Sequence, residues 1–244
     1  MDADPRELPK TEARLRELGF GPEVLTTVRS NFAGLPQILA SVQLERVDAM
    51  FADLGVSSMQ LDDPTRGFST KRDGPLDMRM NPGRGQTASA LLARLKAPEL
   101  ATLLQENADE PHASKLAEAL AGRELQTTAA LSQAIRKALP RVGSQELEAA
   151  TRRVFQVLRI GINDEFSALE TFLRNLPFCL NPGGRVAVLT FHSGEDRRVK
   201  KAFASGLREG VYAEISPEVI RASPEERFSN PRSSPAKLRW ARVP

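Results

Sequence analysis

Cysteine is nearly absent from this chain, which has one, Cys179. A single thiol makes no internal disulfide, and no Cys/His cluster with metal-ligand spacing stands out. A disulfide scaffold and a structural zinc site are therefore not expected, and a reducing, cytoplasmic compartment is. Aromatics are sparse as well, at 5% with one Trp and one Tyr, so no base-stacking platform is advertised. No apolar run approaches the ~18 residues of a membrane span, and charge begins at Asp2, unlike a signal peptide. No membrane partner is expected.

What is present is ordinary for a globular protein: 244 residues, 41% hydrophobic and 27% charged. That length holds one α/β domain plus an insertion. The net charge of +3 is uneven. Residues 1–83 carry 10 basic and 13 acidic groups, and residues 185–244 carry 12 and 7. The basic C-terminal quarter suits a phosphate-bearing partner or a solvated surface equally well.

Periodicity predicts a helix over 6–19, a short strand at Val24–Val28 and a helix over 35–42. Residues 47–55 form a nearly continuous apolar run ending in Asp53 and Gly55, the pattern of a parallel strand covered on both faces. Residues 62–86, rich in Gly and Pro, read as a long loop. The Leu76 and Met78 in it serve no obvious core, which favours a site there. Residues 87–140 have helical stripes of leucine, and a long amphipathic helix is expected from Val154 to Leu173. A turn at Pro182–Gly184, a strand over 185–191, a basic helix over 195–207 and a strand over 236–243 complete the reading. The expected organisation is an α/β core over 1–83 and 149–244, with a helical insertion over 84–148.

In open α/β sheets, ligands bind at the carboxyl ends of strands. Asp53 through Asp63 and Phe191 through Arg197 are two such ends. A third candidate is Asp2, before the first helix. Each has a plainer explanation: Asp2 as a helix cap, Asp53 as a turn former, Ser57-Ser58 as a polar turn, His192 as a structural residue.

The string DLGVSSMQLDDPTRGFSTKRDGPLDMRMNPGRGQ from Asp53 resembles the signature of the ribosomal RNA small-subunit cytosine-N4 methyltransferases, the MraW family. RRVFQVLRIGINDE from residue 152, FHSGEDRRVKKAF from 191 and NPRSSPAKLR from 230 are similar to further words of that family, in its order and across nearly the whole chain. The resemblance implies a class I, Rossmann-like methyltransferase sheet with a helical insertion that helps hold RNA. It also implies S-adenosylmethionine as methyl donor and 16S rRNA or the small ribosomal subunit as partner. DNA is not expected, and a homodimer is compatible with it. By position, Asp2, Phe32, Asp53 and Gln60 match the family's cofactor contacts, with a core aromatic as the lesser alternative for Phe32.

Ser57 and Ser58 are placed to accept the hydrogens of the cytosine amine, with Asp77 and His192 as further catalytic candidates. Arg197, Arg198, Lys200, Lys201, Arg232, Lys237 and Arg239 are candidates for phosphate contacts. The family also has a strand and a Gly-Gly-His loop before the position of Asp2. Both are expected to be missing from this chain, with a misassigned start as the leading explanation. A catalytically inactive RNA- or ribosome-binding remnant is the alternative.

Overall fold

The computed structural model describes residues 1–244, which divide into two compact units: residues 1–55 with 166–244, and residues 56–165. No helix is long and apolar enough to cross a membrane.

The first unit is built on a five-stranded sheet. It opens with α1 (Glu7–Glu17) and α2 (Leu35–Ser41), then β1 (Val47–Asp53). After the second unit come most of α9 (Glu165–Asn175), β2 (Leu180–Thr190) and α10 (Ser193–Arg208). The short strands β3 (Glu214–Ile215) and β4 (Ile220–Arg221), the short helix α11 (Pro224–Ser229) and β5 (Lys237–Arg242) follow. The path through the sheet is β1-β2-β5-β3, with β4 also on β5. β1 and β2 are parallel, and β5 runs antiparallel to β2, β3 and β4. One core holds the unit together, with Leu35, Phe172, Val186, Val188, Val199 and Phe203 among its buried members.

Three expectations change here. β1 is not covered on both faces. It is the edge strand, and Ala49, Phe51 and Asp53, which share one face, are exposed, Phe51 at 65%. Apolar content alone does not reveal whether a neighbour covers a face. Val24–Val28 is not a strand; the chain there makes only an isolated parallel bridge between Asp2 and Arg29. The Pro182–Gly184 turn is absorbed into β2 as an irregularity of the β1–β2 register, with Gly183 at φ +74° supplying the left-handed residue.

The second unit is helical: α3 (Ser58–Asp62), α4 (Ala88–Arg94), α5 (Ala97–Ala108), α6 (Ala113–Leu120), α7 (Thr128–Ala138) and α8 (Ser144–Asn163). Thr87 and Thr127 cap α4 and α7, their side chains accepting the amides of Ala90 and Ala130. The leucine stripes meet in one core that includes Leu92, Leu100, Leu104, Leu120, Leu131 and Leu158.

This unit reaches beyond 84–148 because the 62–86 loop belongs to its core. Phe68, Leu76 and Met78 are buried there, so Leu76 and Met78 are anchors rather than marks of a site. The buried Arg66 donates to the carbonyls of Arg79 and Met80 (3.0 and 2.9 Å), tying the loop across its width. The amide of Asn163 donates to Met78 O and accepts from Met80 N, tying the loop to α8. The long helix expected over 154–173 breaks at Asp164, whose φ of +49° ends α8.

Two passes of the loop touch at Gly67, which lies at φ +74°. A Cβ there would press on Pro75 O and lie 2.9 Å from Asp77 N. Gly67→Ala is therefore expected to destabilise the helical unit by about 2–5 kcal/mol, from left-handed backbone strain plus overpacking. Chemical denaturation followed by circular dichroism measures it.

Candidate functional site

β1 and β2 are parallel neighbours, so their carboxyl ends lie side by side, with Asp53 opposite Leu189 in register. The turn after β2 is built by α10. His192 is its N-cap: Nδ1 accepts the Glu195 amide (3.4 Å), while Glu195 Oε2 accepts the Phe191 amide (2.9 Å). This is a reciprocal cap in the manner of a capping box. Glu195 is 3% exposed. Its Oε1 lies 3.3 Å from His192 Nε2, which makes no hydrogen bond. Because Nδ1 is occupied as an acceptor, neutral His192 carries its hydrogen on Nε2. The ring packs beside Phe166, at 5.7 Å between ring centroids.

Asp53 is exposed on one side. Partial desolvation, and then the nearby Glu195 carboxylate, push its pKa above the ordinary carboxylate value. Two carboxylates, Asp53 and Glu195, thus interact at the end of this parallel pair, while Lys237 and Arg239 on β5 are paired with Asp196. Such an end repels a pyrophosphate and suits a ligand that offers hydroxyls, an amine or a positive charge.

Asp2 and Phe32 belong to the same unit. Asp2 pairs with Arg29 and its Oδ1 accepts the Asp4 amide (2.8 Å), so it closes a local turn. Phe32 packs edge-on against Phe172 at 5.5 Å, so the ring is at least partly a core group. A cleft of about 530 Å³ lined by Pro36, Leu44, Phe178 and Cys179 lies before β1 and β2, at the end opposite to Asp53 and His192.

Ser57, Ser58, Gln60 and Asp77 belong to the helical unit. Ser57 caps α3 in a capping box: its Oγ accepts the Gln60 amide (3.2 Å) and its amide donates to Gln60 Oε1 (2.8 Å). Gln60 is buried and its side-chain carbonyl is committed to that turn. Ser58, one position on, is exposed. Asp77 is held by Arg79 through two bonds of 2.8 and 2.7 Å. Burial raises its pKa, but the Arg79 hydrogen bonds and charge outweigh this and leave it below the ordinary value. A carboxylate so held is a poor proton acceptor at neutral pH.

The tertiary fold also gathers a ligand-type set that the sequence did not advertise. Ligand atoms of Glu110, His112 and Glu146 lie within 4.8 Å of one another. Arg153 already bridges the two carboxylates there, at 3.1 and 2.8 Å. Among the basic candidates, Lys237 and Arg239 are drawn to Asp196 (3.4 and 2.7 Å), and Arg198 lies 3.5 Å above the Phe166 ring. Lys200 and Lys201 remain exposed on α10. Glu195 lies within the Phe191–Arg197 strand end that the sequence offered, but was not singled out there. Its signal was available as an acid three residues after a potential cap.

A mixed sheet with an acidic strand end beside a capped strand–helix turn, together with a compact helical unit, defines the class of the fold as α/β with a helical insertion. The profile of the MraW methylase family matches residues 1–243, and the chain belongs to that family. It is 47% identical, over 99% of its length and 68% of the relative's, to "Ribosomal RNA small subunit methyltransferase H 1" of Lachnoclostridium phytofermentans. It is 48% identical, over 99% and 71%, to "Ribosomal RNA small subunit methyltransferase H 2" of Alkaliphilus metalliredigens. A third relative, "Ribosomal RNA small subunit methyltransferase H" of Anaeromyxobacter sp. (strain K), is 40% identical over 98% and 82%.

Proposed function

We propose that this methyltransferase moves a methyl group from S-adenosylmethionine to the N4 amine of a cytidine in small-subunit ribosomal RNA. The observation that carries the reading is the match, over nearly the whole chain, to relatives named ribosomal RNA small subunit methyltransferase H. The chemistry of the sheet end agrees with it. Asp53, with Glu195 behind it, suits a cationic ligand bearing hydroxyls and an amine. Asp2, Phe32 and Gln60 would add a ribose acceptor, an adenine contact and a buried support for the turn after Asp53. When bound, S-adenosylmethionine supplies an electrophilic methyl group on a sulfonium.

The cytosine amine is a weak nucleophile because its lone pair is delocalised into the ring. Positioning therefore contributes most, with the reacting atoms about 3–3.5 Å apart. The Ser58 hydroxyl, exposed at the start of α3, accepts an amine hydrogen and concentrates charge on N4. Ser57 is partly occupied by the cap and acts as the weaker acceptor. His192, held as an Nε2–H tautomer, orients the turn after β2, and the surplus proton of the methylated amine leaves to solvent. Asp77 keeps Arg79 and the loop in place. The target base must be unstacked to be reached.

The test is incubation of the chain with methyl-labelled S-adenosylmethionine and small subunits from cells lacking this modification. Label in N4-methylcytidine after nuclease digestion and mass spectrometry is the expected result. RNA binding without label would replace the reading with a non-catalytic RNA-binding protein.

A further inference from the structure

Phe228 has no place in any core. It stands on α11 with 91% of its surface exposed, in a chain where aromatics are scarce. Its support is ordered. The Ser223 hydroxyl caps α11 by accepting the Glu226 amide (3.1 Å), and Asn230 N donates to Glu226 O (2.7 Å). The buried Ser233 donates its hydroxyl to Asn230 O (2.8 Å), and Ala236 N donates to Ser233 O (2.9 Å), just before β5. On the other side, β4 is paired to β5. The ring is therefore presented in advance, and a partner that covers it has little ordering cost to overcome.

The surroundings select the partner. Between Ile220 and Lys237 the chain carries Arg221, Arg227, Arg232 and Lys237 against Glu225 and Glu226. Lys237 is drawn to Asp196, whereas Arg221 and Arg227 are exposed. A purely apolar partner would bury the ring and leave these guanidiniums without acceptors. An unpaired nucleotide offers both complements: a base face for the ring and phosphate oxygens for arginine. A duplex hides its base faces.

We propose that residues 220–232 form a docking surface for single-stranded RNA, with Phe228 stacking on an unpaired base and Arg221 and Arg227 meeting phosphates. This rests on the RNA-substrate reading above and adds a second contact to it.

The experiment compares fluorescence anisotropy of a labelled single-stranded RNA oligomer and a duplex of the same composition, with the full chain and its variants. Phe228→Ala is expected to weaken single-strand binding about tenfold, Phe228→Tyr to restore it, and duplex binding to stay unchanged. The double variant Arg221→Gln with Arg227→Gln is expected to lower the salt slope for the single strand by about 1.4, roughly 0.7 per phosphate. Methyl transfer to small subunits is expected to show a raised KM with kcat held.

Unchanged single-strand affinity in Phe228→Ala overturns the inference, as does an equal loss on duplex. So does a concentration-dependent dimer of the parent chain, seen by ultracentrifugation and dissolved by Phe228→Ala, which would assign the ring to a second copy. If the parent chain methylates ribosomal RNA while Phe228→Ala matches it throughout, this inference fails alone. If the parent neither binds nor methylates RNA, the underlying reading fails with it. The ring is exposed, so an unchanged melting curve for Phe228→Ala is expected and serves as the folding control.

Discussion

Asp53→Asn is expected to weaken S-adenosylmethionine binding by about 10- to 100-fold, the cost of losing a charged hydrogen-bond acceptor, and to make the sheet unit more stable at neutral pH. The two effects have one cause. Asp53 is pushed to a higher pKa, first by desolvation and then by Glu195. The folded chain therefore holds the proton on Asp53 more tightly than the unfolded chain does. Stability linked to that proton is fully present below the ordinary carboxylate pKa and is lost as pH rises through the folded value. Asn never ionises and so escapes the loss. The stability difference between the variant and the parent should vanish in acid and grow toward neutral pH. Calorimetry for the cofactor and denaturation midpoints across that pH range measure both halves. A variant less stable than the parent at neutral pH would show that Asp53 is satisfied by the protein rather than reserved for a ligand.

Arg153→Met is expected to destabilise the helical unit by about 3–5 kcal/mol, lowering its melting temperature by on the order of 10 °C. The Glu110 side chain is fully buried, accepts the His112 amide at 2.8 Å, and has its other oxygen on Arg153. Removing the guanidinium leaves an uncompensated charge in the interior. Adding Glu110→Gln should recover most of the loss, since glutamine keeps the acceptor for His112 N and carries no charge. Differential scanning calorimetry on the single and double variants tests this. If the double variant melts no higher than Arg153→Met alone, packing rather than charge sets the loss.

Both predictions depend on groups that tertiary contacts brought together, and this marks how far the sequence could be read. Local pattern placed α1, α2, α10 and β5 within a few residues, because caps, breakers and apolar period act over one or two turns. It failed where the deciding neighbour is remote. The strand at Val24–Val28 has the right residues but no partner to complete a ladder. Leu76 and Met78 look stranded in a Gly/Pro loop until Arg66 and Asn163 draw that loop onto the helical core. Lys237 and Arg239 look like phosphate contacts until Asp196, some forty residues earlier, takes them.

The run from Asp53 to Asp63 was enough, by itself, to suggest the family, and the capping box of Ser57 and Gln60 within it is legible as a local pattern. The words that carry the MraW match are likewise in the one-dimensional chain. Only the tertiary structure decided the electrostatics. Asp53 feels Glu195, a residue 142 positions away in the chain, because β1 and β2 lie parallel and end side by side. His192 becomes a cap with a fixed tautomer because α10 starts beneath it. Side-chain identity is written locally, whereas desolvation and the sum of nearby charges depend on what the fold places within a few ångströms.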